Sequence, residues 1–180
     1  MPLVKAGHVV EDSYLRLRDD VPLPSDVAVI IPAVRLLTEG TDLDRRTAPI
    51  GVLWPNNRDV SELRRYLNRL ALVALDFPTF RDGRAYSQAR RLRERYDFSG
   101  ELRATGQVLR DQFLFLVRAG FNAFEVVKEA DAAAFADAIS RYGVFYQPAG
   151  DRRPTALMAR AERARAVREE RKLPVAETQG

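Results

Sequence analysis

Residues 76–87 read DFPTFRDGRAYS, and they set the pattern on which the fold prediction depends. An apolar run at residues 71–75, ALVAL, leads into this polar loop, and a helical pattern follows it. The same order recurs at residues 100–112, GELRATGQVLRDQ, and at residues 118–125, RAGFNAFE. Short apolar runs that alternate with helical patterns are typical of βα units with parallel strands. The sequence therefore predicts an α/β fold.

Further strand and helix patterns extend this arrangement in both directions along the chain. Strands are predicted at residues 26–32, 50–54, 71–75, 101–104, 123–127 and 144–147, and helices at 59–70, 83–96, 109–119 and 130–142. These units are too few for a complete eight-stranded barrel, which usually needs about 250 residues. We therefore expect successive βα units that form a mainly parallel, open or half-barrel-like sheet.

The chain divides into three predicted regions. Residues 1–25 are expected to form an N-terminal β-hairpin or arm, with a turn at residues 5–7, and residues 26–148 form the βα-repeat core. Residues 149–180 form a basic tail that is partly helical or disordered. The tail is either a solvated helix or a segment that binds an acidic surface. Aromatic residues do not alternate with its arginines, so a nucleic-acid partner is not indicated.

The composition is that of a soluble domain with few options for cofactor chemistry. The chain has 180 residues, 30% of them charged, and a net charge of +4. It has no cysteine and a single histidine, His8. This excludes disulfides, cysteine-ligated iron–sulfur clusters and a zinc site of the usual His/Cys type within one chain. The sequence indicates no metal site.

Neither nucleotide-binding motifs nor membrane signals are present. The chain contains no G-x-G-x-x-G and no G-x-x-x-x-G-K-[ST], so no cofactor is evident from the sequence. No apolar run approaches the roughly 20 residues that span a bilayer. The first residues do not read as a signal peptide. We therefore expect a cytoplasmic protein that does not bind a membrane.

Arginines follow several of the predicted strands. In a parallel sheet the loops after the strands meet at one edge, so Arg81, Arg84, Arg103 and Arg110 are expected on a common rim. Guanidinium groups bind oxyanions with two hydrogen bonds, which predicts a site for a small anion. The predicted anion-binding residues are Arg81, Gly83, Arg84, Ser87, Arg103, Thr105, Arg110 and Gln112. Alternatively, these arginines pair with neighbouring acids and hold the loops in place.

Four residues are candidates for acid–base chemistry at the same edge. They are Asp76, Asp82, Tyr86 and Glu125. Each also has a structural interpretation. Asp82 is a suitable N-cap for the following helix, which is worth about 1 kcal/mol. Asp76 and Glu125 are suitable ion-pair partners for the rim arginines.

The same motifs resemble those of a known family. The runs FRDGRAYSQARRLRER (80–95), GELRATGQVLRDQ (100–112) and RAGFNAFE (118–125) are similar to an uncharacterised bacterial family, the domain of unknown function numbered 934. Its members usually carry the label "probable oxidoreductase involved in sulfite reduction". The resemblance implies a component of assimilatory sulfite reduction, and hence of sulfur assimilation and cysteine biosynthesis.

The resemblance also implies a partner, which is sulfite reductase or another enzyme of sulfur assimilation. Reduction of sulfite needs cofactors that carry electrons. A chain without cysteine or a dinucleotide motif fits an accessory role, so we expect a protein that assists the reductase. The alternative is a small-molecule enzyme or binding domain for a phosphorylated or sulfated ligand.

Overall fold

The computed structural model describes residues 1–40, 43, 46–126, 128–140 and 155–170. Within them lies one eight-stranded sheet whose strands run in the order β2-β1-β8-β7-β6-β5-β4-β3. The strands are β1 Leu3–Lys5, β2 His8–Val10, β3 Leu15–Arg16, β4 Val29–Pro32, β5 Ile50–Trp54, β6 Leu70–Phe77, β7 Glu101–Gly106 and β8 Ala123–Glu125. The helices are α1 Ala33–Glu39, α2 Arg84–Arg90, α3 Phe113–Ala119, α4 Ala130–Ser140 and α5 Ala156–Glu170.

Six neighbouring strands, β3 to β8, are parallel to one another. β1 is antiparallel to both β2 and β8, so the N-terminal hairpin extends the sheet beyond β8. The predicted α/β class and the mainly parallel sheet of βα units are confirmed. The hairpin turn is also confirmed, since Ala6 and Gly7 adopt positive φ angles of 49° and 80°.

The connection from β2 to β3 requires the sheet to curl. The two strands lie at opposite edges, seven strand spacings apart, which is about 34 Å in a flat sheet. Only residues 11–14, here called the strap, separate Val10 from Leu15, and this length of chain reaches at most about 19 Å. The sheet is therefore rolled into a half-barrel, and the strap crosses between its two edges.

The two faces of the curled sheet have different chemistry. The outer face packs against the helices, and Val73, Leu75 and Phe77 of β6 belong to this main core. The inner face, called the lumen below, carries the alternate residues of the same strand, Leu72 and Ala74, which form a small apolar cluster with Ile30. The remainder of the lumen is polar, as described in the next subsection.

Several sequence predictions need correction. The predicted helix over residues 59–70 is only a 3-10 turn, Val60–Leu63, because Leu70 already pairs with Ile50 in the sheet. Asp59 nevertheless caps that turn and accepts a hydrogen bond from the Ser61 N–H at 2.8 Å. β7 extends two residues beyond the predicted end at Ala104.

Other helical segments also differ in detail from the prediction. α2 passes into a π-helical turn, Arg91–Arg95, and α3 is preceded by a 3-10 turn, Arg110–Gln112. The predicted strand at 144–147 and two segments of the predicted tail, 149–154 and 171–180, lie outside the described residues.

Gly106, the last residue of β7, is closely packed against the end of β6, and a substitution can test this packing. Its φ angle is +88°, and a Cβ atom there would lie 2.5 Å from the Phe77 carbonyl oxygen and 2.7 Å from Asp76 Oδ1. We expect Gly106→Ala to lower the free energy of unfolding by about 1–3 kcal/mol, measured by urea denaturation. Gly83→Ala is the matched control, because its Cβ would meet only Tyr86 Cδ2 at 3.9 Å. A similar loss in both variants would contradict this account.

Candidate functional site in the lumen of the half-barrel

Arg103 lies at the centre of the polar part of the lumen. Its side chain is completely buried, in the middle of β7. It donates hydrogen bonds to Asp12 Oδ2 at 2.7 Å, Glu101 Oε1 at 2.7 Å and Glu125 Oε1 at 3.2 Å. A buried guanidinium is costly unless carboxylates surround it, and here they come from the strap, from β7 itself and from β8.

These contacts determine the ionisation of both partners. Burial by itself would lower the pKa of Arg103, but its hydrogen bond to Asp12 and the charge of Glu101 raise that pKa above the ordinary value. Burial would likewise raise the pKa of Asp12, but the hydrogen bonds from Arg103 and from the Tyr14 N–H lower it overall. Asp12 and Arg103 therefore remain charged and attract each other at neutral pH.

Glu125 stands beside this centre, at the end of β8. Besides Arg103, it accepts hydrogen bonds from the Thr105 hydroxyl and from Arg16 Nη2. Arg16 belongs to β3 and Glu125 to β8, so this ion pair joins strands that are five positions apart in the sheet. The contact is possible only because the sheet is curled.

Asp76 completes the group at the carboxyl end of β6. It pairs in register with Thr105 of the adjacent strand. Burial raises the pKa of Asp76 above its ordinary value of 3.8, and the charge of Glu125 raises it further, while the charge of Arg16 opposes the change. Two nearby carboxylates thus have contrasting surroundings. Glu125 accepts three side-chain hydrogen bonds, whereas Asp76 accepts no side-chain donor within the described residues and is supported only by the Phe77 backbone N–H.

We call this group the lumen cluster. It consists of Lys5, Asp12, Arg16, Asp76, Glu101, Arg103, Thr105 and Glu125, with Lys5 paired to Glu101 at 2.6 Å. The cluster contains three cations and four carboxyl groups, so it carries one excess negative charge when all are ionised. A single proton on Asp76 would balance it.

The four predicted rim arginines have different environments. Arg103 is inside the lumen, because β7 is longer than predicted. Arg84 lies on the surface and forms an ion pair with Asp82 at 2.6 Å, which holds the pKa of that carboxyl well below its usual range. Asp82 also accepts the Arg84 N–H at 3.3 Å, while Gly83 occupies the N-cap position of α2. For these two arginines, pairing with neighbouring acids is the interpretation that fits.

Arg81 and Arg110 form no ion pair with a carboxylate of the described chain. Both are exposed, and the Arg81 guanidinium lies 5.4 Å from the centre of the Phe80 ring. Gln112 joins the loops that carry them, since its amide donates to the Phe80 carbonyl at 3.0 Å and accepts from the Leu109 N–H at 3.0 Å. The loops after β6 and β7 are thus held side by side.

This end of the molecule also exposes large apolar side chains. Phe80 is 44% exposed, Leu109 41% and Phe115 66%. Phe115 and Arg110 line a shallow depression of about 270 Å³ between α3 and α4. We call Phe80, Arg81, Leu109, Arg110 and Phe115 the rim surface.

Tyr86 and Ser87 lie on α2, away from the lumen cluster. The Tyr86 ring packs edge-on against Phe77, with ring centres 5.4 Å apart. Burial and the nearby charge of Asp111 raise the pKa of Tyr86 to about 12, so the phenol keeps its proton at neutral pH. Ser87 is exposed to solvent. The structure brings Asp76, Arg103, Thr105 and Glu125 together and leaves Tyr86 outside that group.

Sequence reasoning missed the N-terminal contribution to this site. Asp12, Tyr14 and Arg16 all face the lumen, although the region was predicted only as an arm. A signal was available in the alternation of polar residues at positions 12, 14 and 16 and again at 101, 103 and 105. Alternation of this kind places three side chains on one face of an extended segment.

The described part of the chain contains neither a metal-ligand cluster nor a membrane-spanning helix. None of its His, Asp and Glu side chains form a group of three able to hold a metal ion. Likewise, none of its helices is long and apolar enough to cross a membrane.

Asp76 is expected to reduce stability at neutral pH. Because its folded-state pKa is raised, the folded protein retains the proton after the unfolded chain has lost it, and the free energy of unfolding falls as pH rises above 3.8. Asp76→Asn should therefore raise the melting temperature at pH 7, and the gain should disappear below about pH 4. A melting temperature that falls equally at both pH values would contradict the raised pKa.

Asp12 is expected to stabilise the folded protein at neutral pH, because its carboxylate attaches the strap to Arg103. Asp12→Asn should lower the free energy of unfolding by about 1–3 kcal/mol at pH 7, as for loss of a hydrogen bond between charged groups. The difference from wild type should shrink as the pH falls below 3.8, since the pKa of Asp12 is lowered in the folded protein. Glu62→Gln, which removes a surface pair with Arg58, is the control and should cost less than about 0.5 kcal/mol.

Comparison with known proteins places the chain in a family. No curated protein matches it significantly. Residues 51–157 match the family model described as bacterial protein of unknown function (DUF934). This segment contains Asp76, Arg103 and Glu125 but not the strap. Since the match covers more than half of the 180 residues, the chain belongs to this bacterial family.

Proposed function

We propose that this protein is an accessory component of assimilatory sulfite reduction and that it binds sulfite reductase through the rim surface. The resemblance of the motifs to the family suggests a role in sulfite reduction. The composition of the rim surface suggests that the protein acts by binding the reductase. The electron-transfer groups belong to the reductase in this proposal, since the chain has no cysteine and only one histidine.

The rim surface carries the proposal because its composition is that of a protein interface. Aromatic residues and arginine are enriched at interface hot spots, and here Phe80 and Phe115 lie among Arg81 and Arg110. The hydrogen bonds of Gln112 keep the two loops in a fixed arrangement before binding. A preformed surface loses little conformational entropy when a partner binds.

The charge of the rim surface indicates the kind of partner. Arg81 and Arg110 have no carboxylate partner within the described chain, and both are exposed. An acidic patch on the reductase would complement them and would accelerate association by electrostatic steering. The same arginines would favour the small anion expected from the sequence, which is the substrate of that reductase.

The test is sulfide production by purified sulfite reductase from the same organism, with its electron donor, in the presence and absence of this protein. We expect the protein to increase the rate. Phe115→Ser and Arg110→Glu should each raise the concentration of this protein that gives half of the maximal rate increase by at least about tenfold, as for interface hot spots. Val9→Ser, an exposed apolar residue on the edge strand β2, is the control and should leave the effect unchanged.

Either of two results would overturn the docking proposal. One is a sulfide rate that does not respond to the wild-type protein with any electron donor. The other is a response that the Phe115 and Arg110 variants retain in full. In the second case the protein would assist the reductase through a surface other than the rim.

A further inference from the structure

Arg16 occupies an unusual position at the carboxyl end of the lumen. One of its nitrogens, Nη2, is held by Glu125, and its side chain is still 43% exposed. The Nε and Nη1 groups make no hydrogen bond within the described residues. A guanidinium fixed by one carboxylate and open on its other side is prepared to bind an oxygen atom of a second anion.

Asp76 is the group that would meet such an anion. Asp76 pairs in register with Thr105, whose hydroxyl donates to Glu125 of β8. Glu125 also holds Arg16 of β3, so the partly buried Asp76 carboxyl group lies at the same end of the lumen as that guanidinium. Arg103 from β7 lies deeper and is occupied by three carboxylates, while β5 contributes the apolar Leu53. An ionised Asp76 would repel an anion held by Arg16, whereas a protonated Asp76 would donate a hydrogen bond to it.

The absence of a side chain at Gly106 leaves room for the Asp76 carboxyl group at this end of the lumen. A Cβ atom added to Gly106 would lie 2.7 Å from Asp76 Oδ1. A larger residue at that position would press on the carboxyl group. The carboxyl end of parallel strands is also where ligands of α/β proteins bind.

We propose that the lumen binds a small inorganic oxyanion between Arg16 and Asp76 and takes up one proton as it does so. The proton comes from solvent and forms an O–H bond on Asp76, which then donates to an oxygen of the anion. The anion keeps all its covalent bonds, and no electron is transferred. With Asp76 neutral, the lumen cluster no longer carries the excess negative charge that would repel the anion.

This site is separate from the rim surface, and its test does not use the reductase. Sodium sulfate is the probe, because sulfate does not titrate between pH 5 and pH 8. Binding to the full chain is measured by calorimetry across that range, in two cationic buffers with different heats of ionisation. We expect sulfate affinity to fall about tenfold for each pH unit above the Asp76 pKa, with uptake of one proton visible in the buffer comparison.

Variants separate this proposal from general attraction to a basic protein. Asp76→Asn should bind sulfate with little dependence on pH, since an amide also donates a hydrogen bond. Arg16→Gln should weaken binding at pH 5 by at least about tenfold, and Arg16→Lys, which keeps the charge beside Glu125, should restore part of it. Arg58→Gln is the matched control, because Arg58 is also a half-exposed arginine paired with one glutamate, and it should not change binding.

Three results would overturn the proposal: no binding of sulfate at pH 5, an affinity of the wild type that is independent of pH, or equal losses in the Arg16→Gln and Arg58→Gln variants. Circular dichroism of each variant shows whether it is folded, and Arg16→Lys covers the case in which Arg16→Gln fails to fold. Phe115→Ser should bind sulfate normally, so failure of the docking proposal and failure of this one are distinguishable.

Discussion

The buried Arg103 side chain is the interaction on which the arrangement of this molecule depends. A completely buried guanidinium would cost several kcal/mol without compensation. Its compensation comes from Asp12, Glu101 and Glu125, which lie far apart in the sequence. Asp12 can reach Arg103 only if the strap crosses the lumen, and the strap can connect β2 with β3 only if the sheet is curled. Charge pairing and chain geometry therefore require the same curved sheet.

The curvature gives the carboxyl end of the lumen its chemical character. It brings Arg16 of one edge strand against Glu125, and it places Asp76 near both of them. Glu125 is satisfied by three donors, while Asp76 is left in a partly buried position with little support. Carboxyl groups whose surroundings differ in this way are a recurring feature of sites that bind or transfer protons. A residue that destabilises the folded protein is a stronger functional candidate than a residue whose charge is balanced by its partners.

The sequence predicted the sheet well because its signals are local. The pattern that predicts each of the strands β5 to β8, and each turn between them, lies within a few consecutive residues. These patterns also predicted that Asp76, Thr105 and Glu125 lie near one another. Arg103 was predicted at the rim because β7 was taken to end two residues too early. The contribution of Asp12 and Arg16 has no local signal of comparable strength, since their partners lie 91 and 109 positions away. Only the curvature of the whole sheet brings these residues together.

The rim surface and the mouth of the lumen lie at the same end of the half-barrel, since Phe80 and Arg81 follow Asp76 by only four and five residues. If both proposals hold, a reductase bound to the rim would also restrict the access of water to Asp76. Removal of water disfavours the charged form of a carboxyl group, so docking would raise the pKa of Asp76 further. Protonation favours the anion in this scheme, and the reductase would therefore strengthen the binding of the anion that it consumes. By the reciprocity of linked equilibria, the bound anion would strengthen docking by the same factor.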